Sequence, residues 1–576
     1  IVLGCLSATS CVHRPARFAD RPIVTDIADD APIDLPRRIE LNWDWYLSDA
    51  FLRRSLFDAL NPNRPDDAGD INAVDEVPRS SWYQPEGAEL ALLDPPILQD
   101  GPPMLPLTVL HDSPRIRSDG LCVLDARNYR YELRRDDSER PEMRTSAAAI
   151  ASRLIRAVGL LSPEVHIVFL SEQDFRWPTE DRTLHSSLRA LIPPAPANAD
   201  SIVRMSATRW PVGIDVGVTD PFDARDDDPN DVVPHRNRRT MRALKVLGAW
   251  LGISSINPSK TRDVYVGSPG YGHLRHYVVG MEDALGAASV VKSDKKQGLR
   301  TDLGGGPGFN FLTLGLWPGS LRPVTQTRWL AIGDFDENVD PADFTTSPPY
   351  APMTHVRAAD GYWAAKRIAS IPTKTIVQAV RHARIHDPSA EKKLIDVLLQ
   401  RRHAVVKFWY SQVTPAEMVH IEARKVTLRD EAISRGLIPP TSVQYHGEIV
   451  DDSGVVQSRI PRFEPATESF EIQIPRKVAE TNDRIVPRLQ VEVDGAEVAD
   501  VLVIGGLVSR DVAGDGGGRR GVGLLEPACR FGEGRLGLRR ARVVGRGKQD
   551  DQVGHRLAEP AFGGVRGGPG CCSGGS

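Results

Sequence analysis

The chain has 576 residues, 41% of them apolar and 26% charged, with a formal net charge of −4. This is the composition of an ordinary globular chain, long enough for two to four domains. No long basic stripe runs through the part expected to fold, which argues against a nucleic-acid partner, and no run of 18 apolar residues is available to span a membrane.

The first stretch, Ile1-Val2-Leu3-Gly4-Cys5, looks like the end of a bacterial lipoprotein signal, and Ala8-Thr9-Ser10-Cys11 is a second, weaker match. Lipidation at Cys5 or Cys11 would tether the body to a membrane surface, so export to the periplasm or outer membrane is expected, with membrane contact only through the lipid. A cleaved signal peptide is the alternative. The remaining cysteines, Cys122, Cys529, Cys571 and Cys572, show no zinc spacing with His and no disulfide framework. Residues 1–40 read as signal remnant and tether.

Residues 41–104 form an N-terminal extension with a predicted helix over 41–60. Three strands are predicted at 107–110, 121–124 and 129–133, the last two joined by a tight turn at Arg127-Asn128. A helix over 145–161 carries Ile150, Leu154, Ile155 and Val158 on one face, and a strand over 165–170 follows. These make a small α+β layer over 105–175.

The next region, 176–425, reads as mainly helical. Residues 237–251 form a helix stopped by Gly252, and two strand-like runs follow at 264–266 and 276–283. Residues 292–308 read as a mobile Gly-rich loop. Helices are predicted over 373–384 and 388–410, the second with Asp387 as N-cap and Pro388 at its first position. A β module is expected over 426–512. From 513 to 576 a Gly- and Arg-rich tail lacks the apolar content to offset its ordering entropy, so it is expected to be disordered, or to be translation past a frame error.

Several pieces taken together are similar to a bacterial protein and lipoprotein family that itself resembles the protein-kinase-like superfamily, which includes HipA-type kinases, CotH spore-coat kinases and phosphoinositide kinases. The pieces are Asp75-Glu76-Val77-Pro78-Arg79-Ser80-Ser81-Trp82, Pro141-Glu142-Met143, Asp228 to His235 with Arg238-Arg239, Ala249-Trp250-Leu251 and Arg275-His276-Tyr277. Leu314-Gly315-Leu316-Trp317, Tyr362 to Lys366 and Arg401-Arg402 continue the likeness. The resemblance covers about residues 70–425. It implies an α+β, kinase-like two-lobe core: a small mixed lobe on a mainly helical large lobe, followed by the β module and tail.

Phosphoryl transfer needs a cation on the phosphates, an orienting carboxylate, and acid or amide ligands for Mg²⁺. The resemblance places these positions, and most have changed. Where the group has Leu-Lys-Phe-Asp, this chain has Leu133-Arg134-Arg135-Asp136, and Arg does not simply replace Lys; Glu142 is the acid expected to pair with Arg134. The catalytic Asp position holds Ser254 or Ser255, and the metal-binding Asn position holds Lys260. Thr261 and Asp263 agree, while Asn257 is out of register. The metal-binding Asp after the hairpin is replaced by Gly280, with Glu282 and Asp283 close by. Neither 111–115 nor 304–308 supplies a phosphate-binding glycine loop.

The site residues this leaves are Arg134, Glu142, Asn257, Asp263, Glu282 and Asp283. The expected function is a non-catalytic, pseudokinase-like binding or structural module with no cofactor, meeting a protein or an envelope component. The alternative is an atypical phosphotransferase using Mg-ATP through displaced ligands. A second alternative, an envelope-polymer hydrolase, has only scattered acids and His235 behind it.

Overall fold

The computed structural model describes residues 24–48, 66–85, 101–110, 120–176, 192, 202–288, 328–346, 349–422 and 425–451, with shorter stretches between 454 and 524. Cys5, Cys11, the 111–115 and 304–308 loops, residues 314–317 and residues 525–576 lie outside the described residues.

The fold is mixed α/β. Six strands form one sheet: β1 (Leu107–Val109), β2 (Gly120–Leu124), β3 (Arg130–Arg135), β4 (Val165–Leu170), β5 (Phe175–Arg176) and β6 (Val203–Arg209), in the order β4-β6-β3-β2-β1-β5. All pairs are antiparallel except β1 with β5. Between β2 and β3 the Asp125 carboxylate accepts from the N–H groups of Arg127 (2.8 Å) and Tyr129 (2.9 Å), and Asn128 takes a positive φ of 64°. An Asx turn with an Asn in the left-handed region is the physical form of the expected tight turn.

Alternation along the strands divides the sheet. Leu121, Val123, Tyr131 and Leu133 face one way, into a core with Leu107, Val109, Met205 and Ala207. Cys122, Arg130, Glu132 and Arg134 face the other way and line a cleft.

The helix α1 (Met143–Val158) packs beside this sheet. Asp136 serves its first turn, accepting from Arg144 N–H (2.7 Å), Thr145 N–H (2.9 Å) and Thr145 Oγ1 (2.5 Å), which satisfies donors that would otherwise be orphaned. Ile150, Leu154, Ile155 and Val158 are fully buried.

The larger part contains α2 (Arg239–Leu251), a three-stranded sheet of β7 (Ile214–Asp215), β8 (Thr261–Val266) and β9 (His273–Val278), and the helices α3 (Ala358–Ser370), α4 (Thr373–His382) and α5 (Pro388–Ser411). Asp70 takes the Arg239 N–H at 2.6 Å at the start of α2, and Gly252 ends that helix at φ 63°. Asp387 caps α5 by accepting from Ser389 N–H at 2.8 Å. Arg401 on α5 donates to the carbonyls of Ala249 (2.5 Å) and Trp250 (3.0 Å), the last acceptors of α2, while Trp250 Nε1 donates to Leu398 O at 3.0 Å. One apolar core runs through α1, α2, α3, α4 and α5.

The structure differs from the expected layout in four places. Residues 24–40 are no loose tether. Ile33 N–H bonds to Gly272 O (2.8 Å), Ile39 N–H to Val216 O (2.9 Å), and the Asp29 carboxylate accepts from Ser81 Oγ (2.7 Å), so this strap is stitched along the body. The run Val203–Arg209 is a strand inside the sheet, with Val203, Met205 and Ala207 toward the core and Arg204, Ser206 and Thr208 on the other face. Ala358–Ser370 is a helix that the sequence reading did not predict; its Gly361 lies against the Trp409 ring, where a Cβ would collide. The strands after α5 begin at Ala416, before the expected 426, and Arg519–Leu524 pairs with Leu507–Val512, past the expected edge at 513. Of the predicted helix over 41–60 the described part is Trp43–Ser48.

The strap depends on one glycine. Gly217 has φ 99°, and a Cβ there would run into the backbone of Ile39. Substitution Gly217→Ala is expected to lift 24–40 from the body and cost about 2–4 kcal/mol, since both strain and lost ladder bonds contribute. Urea unfolding and the rate of proteolysis within 24–40 measure this; an unchanged midpoint and cleavage rate would show that the strap is not held there.

Candidate functional site

The segment 252–283 is positioned by a buried polar stack. Asp263 on β8 is wholly buried and is served on every side: Thr219 Oγ1 donates at 2.5 Å, Arg225 at 3.1 Å and His276 Nδ1 at 2.8 Å. The His276 ring lies flat on Trp82, centroids 3.6 Å apart and planes 9° apart, and the Arg238 guanidinium covers Trp82 at 4.4 Å. Arg238 donates to Asp231 (2.5 Å). Asp231 also accepts from His235 Nε2 (2.6 Å), while His235 Nδ1 meets the Asp220 carbonyl (2.5 Å). Both His235 nitrogens face oxygen atoms, so the ring is fixed from both sides.

Burial alone would raise the carboxyls of Asp231 and Asp263; the hydrogen bonds and charges of His235 and Arg238 on the first, and of His276 on the second, hold both below the usual carboxylate range. The recurring motif pieces around Trp82, Asp231–Arg239 and His276 therefore meet in one structural joint. His235, the residue behind the hydrolase alternative, belongs to that joint.

Beside the joint lies a cleft of about 520 Å³, lined on one side by β2, β3 and α1 and on the other by 255–264 and 279–283. At its inner end cations and acids interlock. Lys260 Nζ donates to the Gly280 carbonyl (2.5 Å) and to Asp283 Oδ2 (2.8 Å), and stands 4.0 Å from Glu282. Arg134 meets Glu132 at 2.6 Å and Glu282 at 3.3 Å, and Arg144, from the first turn of α1, reaches Asp283 at 3.5 Å. Burial would raise the Glu282 carboxyl, but Lys260 and then Arg134 bring it down to about 2.

The sequence-derived candidates divide accordingly. Arg134, Glu282 and Asp283 are brought together in the cleft. Glu142 is at the start of α1, but it accepts from His386 N–H (2.9 Å) and faces Arg204 at 4.0 Å, while Arg134 turns to Glu132 and Glu282. Asn257 lines the cleft as the cap of a short turn, accepting from Ser259 N–H (2.9 Å) and donating to Ser255 O (2.8 Å). Asp263 is spent on the buried stack and does not line the cleft. Lys260, Arg144 and Glu132 complete the inner cluster without having been read as site residues. For Lys260 the signal was present, since it occupies the metal-binding position of the resembled group.

The residues at this end do not fit a divalent cation. An ammonium group already bridges the acids, and Gly280 offers no side-chain ligand. A Cβ at Gly280, where φ is 72°, would stand 3.2–3.3 Å from the end of the Lys260 chain.

No family model and no curated protein matches the chain. Among solved structures, the crystal structure of a Helicobacter pylori proinflammatory kinase, CtkA, aligns at 10% identity over 52% of this chain and 94% of that one, with a TM-score of 0.29. That of the golgi casein kinase aligns at 9% identity over 69% and 97%, with a TM-score of 0.25. Superpositions this loose do not establish a shared fold.

The interlocked charges imply a pH signature. The Glu282 carboxyl is depressed in the folded state, so its stabilising contribution is complete above the ordinary value of 4.5 and is lost as pH falls toward about 2. The difference in unfolding free energy between the native chain and Glu282→Gln should reach on the order of 3 kcal/mol above that window and close through it. Urea titrations at a series of acid pH values measure this; a difference independent of pH would show that Glu282 is not held by its cations.

Proposed function

We propose that the protein is a non-catalytic binding module built on a degenerate, two-lobed kinase-like core. The sheet face of Arg130, Glu132 and Arg134 forms one wall of the cleft, and the segment after α2 with the turn after β9 forms the other. That order, with α1 between, supports the two-lobed reading. The observation that carries the non-catalytic part is Lys260: its ammonium lies 2.8 Å from Asp283 and 2.5 Å from the Gly280 carbonyl, in the place where the resembled enzymes would need a metal ion. A fixed monovalent cation neutralises the acids, but cannot bridge two phosphates as Mg²⁺ does. A further part of the proposal, motivated by the stretches Leu3-Gly4-Cys5 and Ala8-Thr9-Ser10-Cys11, is that the module works outside the cytoplasm, anchored through Cys5 or Cys11.

The expected result is no Mg²⁺-dependent ATP binding tighter than about 1 mM, roughly 4 kcal/mol. Gly280→Asp with Lys260→Asn restores a carboxylate and an amide and should strengthen Mg·ATP binding. Asp is among the residues that tolerate a left-handed position, at a cost of about 1 kcal/mol. Calorimetric titration with Mg·ATP, and a phosphotransfer assay, decide the matter. Micromolar binding by the native chain, or transfer abolished by Asp283→Ala, would make the phosphotransferase with displaced ligands the correct reading. Metabolic labelling with palmitate tests the anchor; absence of label from the exported chain would remove it.

A further inference from the structure

The charges of the cleft are unevenly placed. At the inner end Arg134, Arg144 and Lys260 face Glu132, Glu282 and Asp283, three cations against three carboxylates within one network. The outer end holds Arg38, Arg130 and Arg262 against Glu40 and Asp215, while the Arg209 guanidinium lies on the core side of the sheet, 3.8 Å from the Tyr129 ring. Asp215 is shared: Arg38 lies 3.6 Å from it and Arg262 3.9 Å. Arg130 pairs with no carboxylate among the described residues, and its guanidinium rests 5.2 Å from the Trp210 ring. Arg130 and Arg134 are four residues apart on one face of β3, so the two ends are separated by about 13 Å.

We infer that the outer half of this cleft binds a small molecule through an oxyanion, a phosphate, sulfate or carboxylate, and that it does so without a metal. The inference rests on the metal-free reading of the inner end, where three cations and three carboxylates close among themselves, so that the excess positive charge of the cleft lies at the outer end. Guanidinium groups present paired donors that match the oxygen spacing of such anions. Arg38 and Arg262 keep 30% and 27% of their side-chain surface open, so they reach a ligand without unpacking. The cleft volume, about 520 Å³, lies within the usual range for small-molecule sites. The Arg130 and Trp210 surfaces offer the ligand body a flat wall beside the anion. The anion would then sit at the opposite end of the cleft from the acids that would hold metal and phosphates in an enzyme of the resembled group.

The test is isothermal titration of the full chain with pyrophosphate, sulfate and citrate in turn, each in excess EDTA and again with Mg²⁺. At least one probe is expected to bind equally in both conditions, and the ranking of the three identifies the anion class. Arg130→Ala should weaken that binding roughly 10- to 100-fold, the range for loss of a charged hydrogen-bonding partner. Arg262→Gln, on a different strand, should weaken it in the same direction and supplies the test if Arg130→Ala does not fold. No binding by any probe, binding only with Mg²⁺, or binding unaffected in both variants overturns the inference. The control with Mg·ATP separates the two claims. If it is negative while the oxyanions also fail, the anion site is wrong and the non-catalytic reading stands; micromolar Mg·ATP binding would remove that reading itself.

Discussion

Everything around the cleft depends on a buried carboxylate. Asp263 carries its charge at zero exposure, and such a group is tolerable only with a full set of partners. Its partners come from distant parts of the chain: Thr219 and Arg225 from the segment before α2, His276 from β9, and through His276 the ring of Trp82. Backbone bonds from Val216 N–H to Asp263 O and from Asp263 N–H to Gly217 O add the strand beside it. Segments 66–83 and 219–238 have little regular structure of their own. They are held in place because they complete this charge network, and removing one member leaves the others buried without compensation.

A second set of ion pairs does for the helices what the first does for the hairpin. Arg239 meets Asp75 at 2.8 Å and Asp360 at 3.0 Å, and Arg242 reaches Asp360 at 2.8 Å, all but fully buried. Opposite charges hold Arg239 fully charged, against the pull of burial. Asp75 itself adopts a positive φ of 61°, a conformation non-glycine residues accept only where their surroundings demand it. The pieces 75–82 and 228–239, which carry the resemblance in the sequence, are in the structure largely the framework that aligns α2, α3 and the N-terminal segment.

The legible parts of the chain were those where period and capping agree. The strands β1 to β4, α1, α2, α4 and α5 carry clean apolar patterns and known start and stop residues, and Asp387 with Pro388 marked the start of α5 directly. Strand β6 was also legible, since Val203, Met205 and Ala207 alternate with Arg204, Ser206 and Thr208, but its pattern was not read. The strap 24–40 was hidden because its bonds are to backbone far away, which no local pattern reveals. For the site, the resemblance pointed to the loop and the turn, and the structure places Glu282 and Asp283 on the wall of the cleft. The resemblance gave Asp263 a place in the chemistry because a carboxylate in a loop reads the same whether it faces solvent, metal or histidine. Burial and partners distinguish those cases, and both come from non-local packing.

The inner cluster is electrostatically self-consistent. Two adjacent acids, Glu282 and Asp283, facing a cleft without a divalent ion would repel each other and one would gain a proton. Lys260 prevents this from within the chain, assisted by Arg134 and Arg144, and Glu282 stays ionised down to about pH 2. Three cations around two acids would in turn leave a surplus, which Glu132 absorbs through its bond to Arg134 at 2.9 Å. Neutrality is therefore reached locally, with side chains from β3, α1, the loop after α2 and the turn after β9. A cluster that closes its own charges has no electrostatic demand for an added ion, and it ties the two walls of the cleft together.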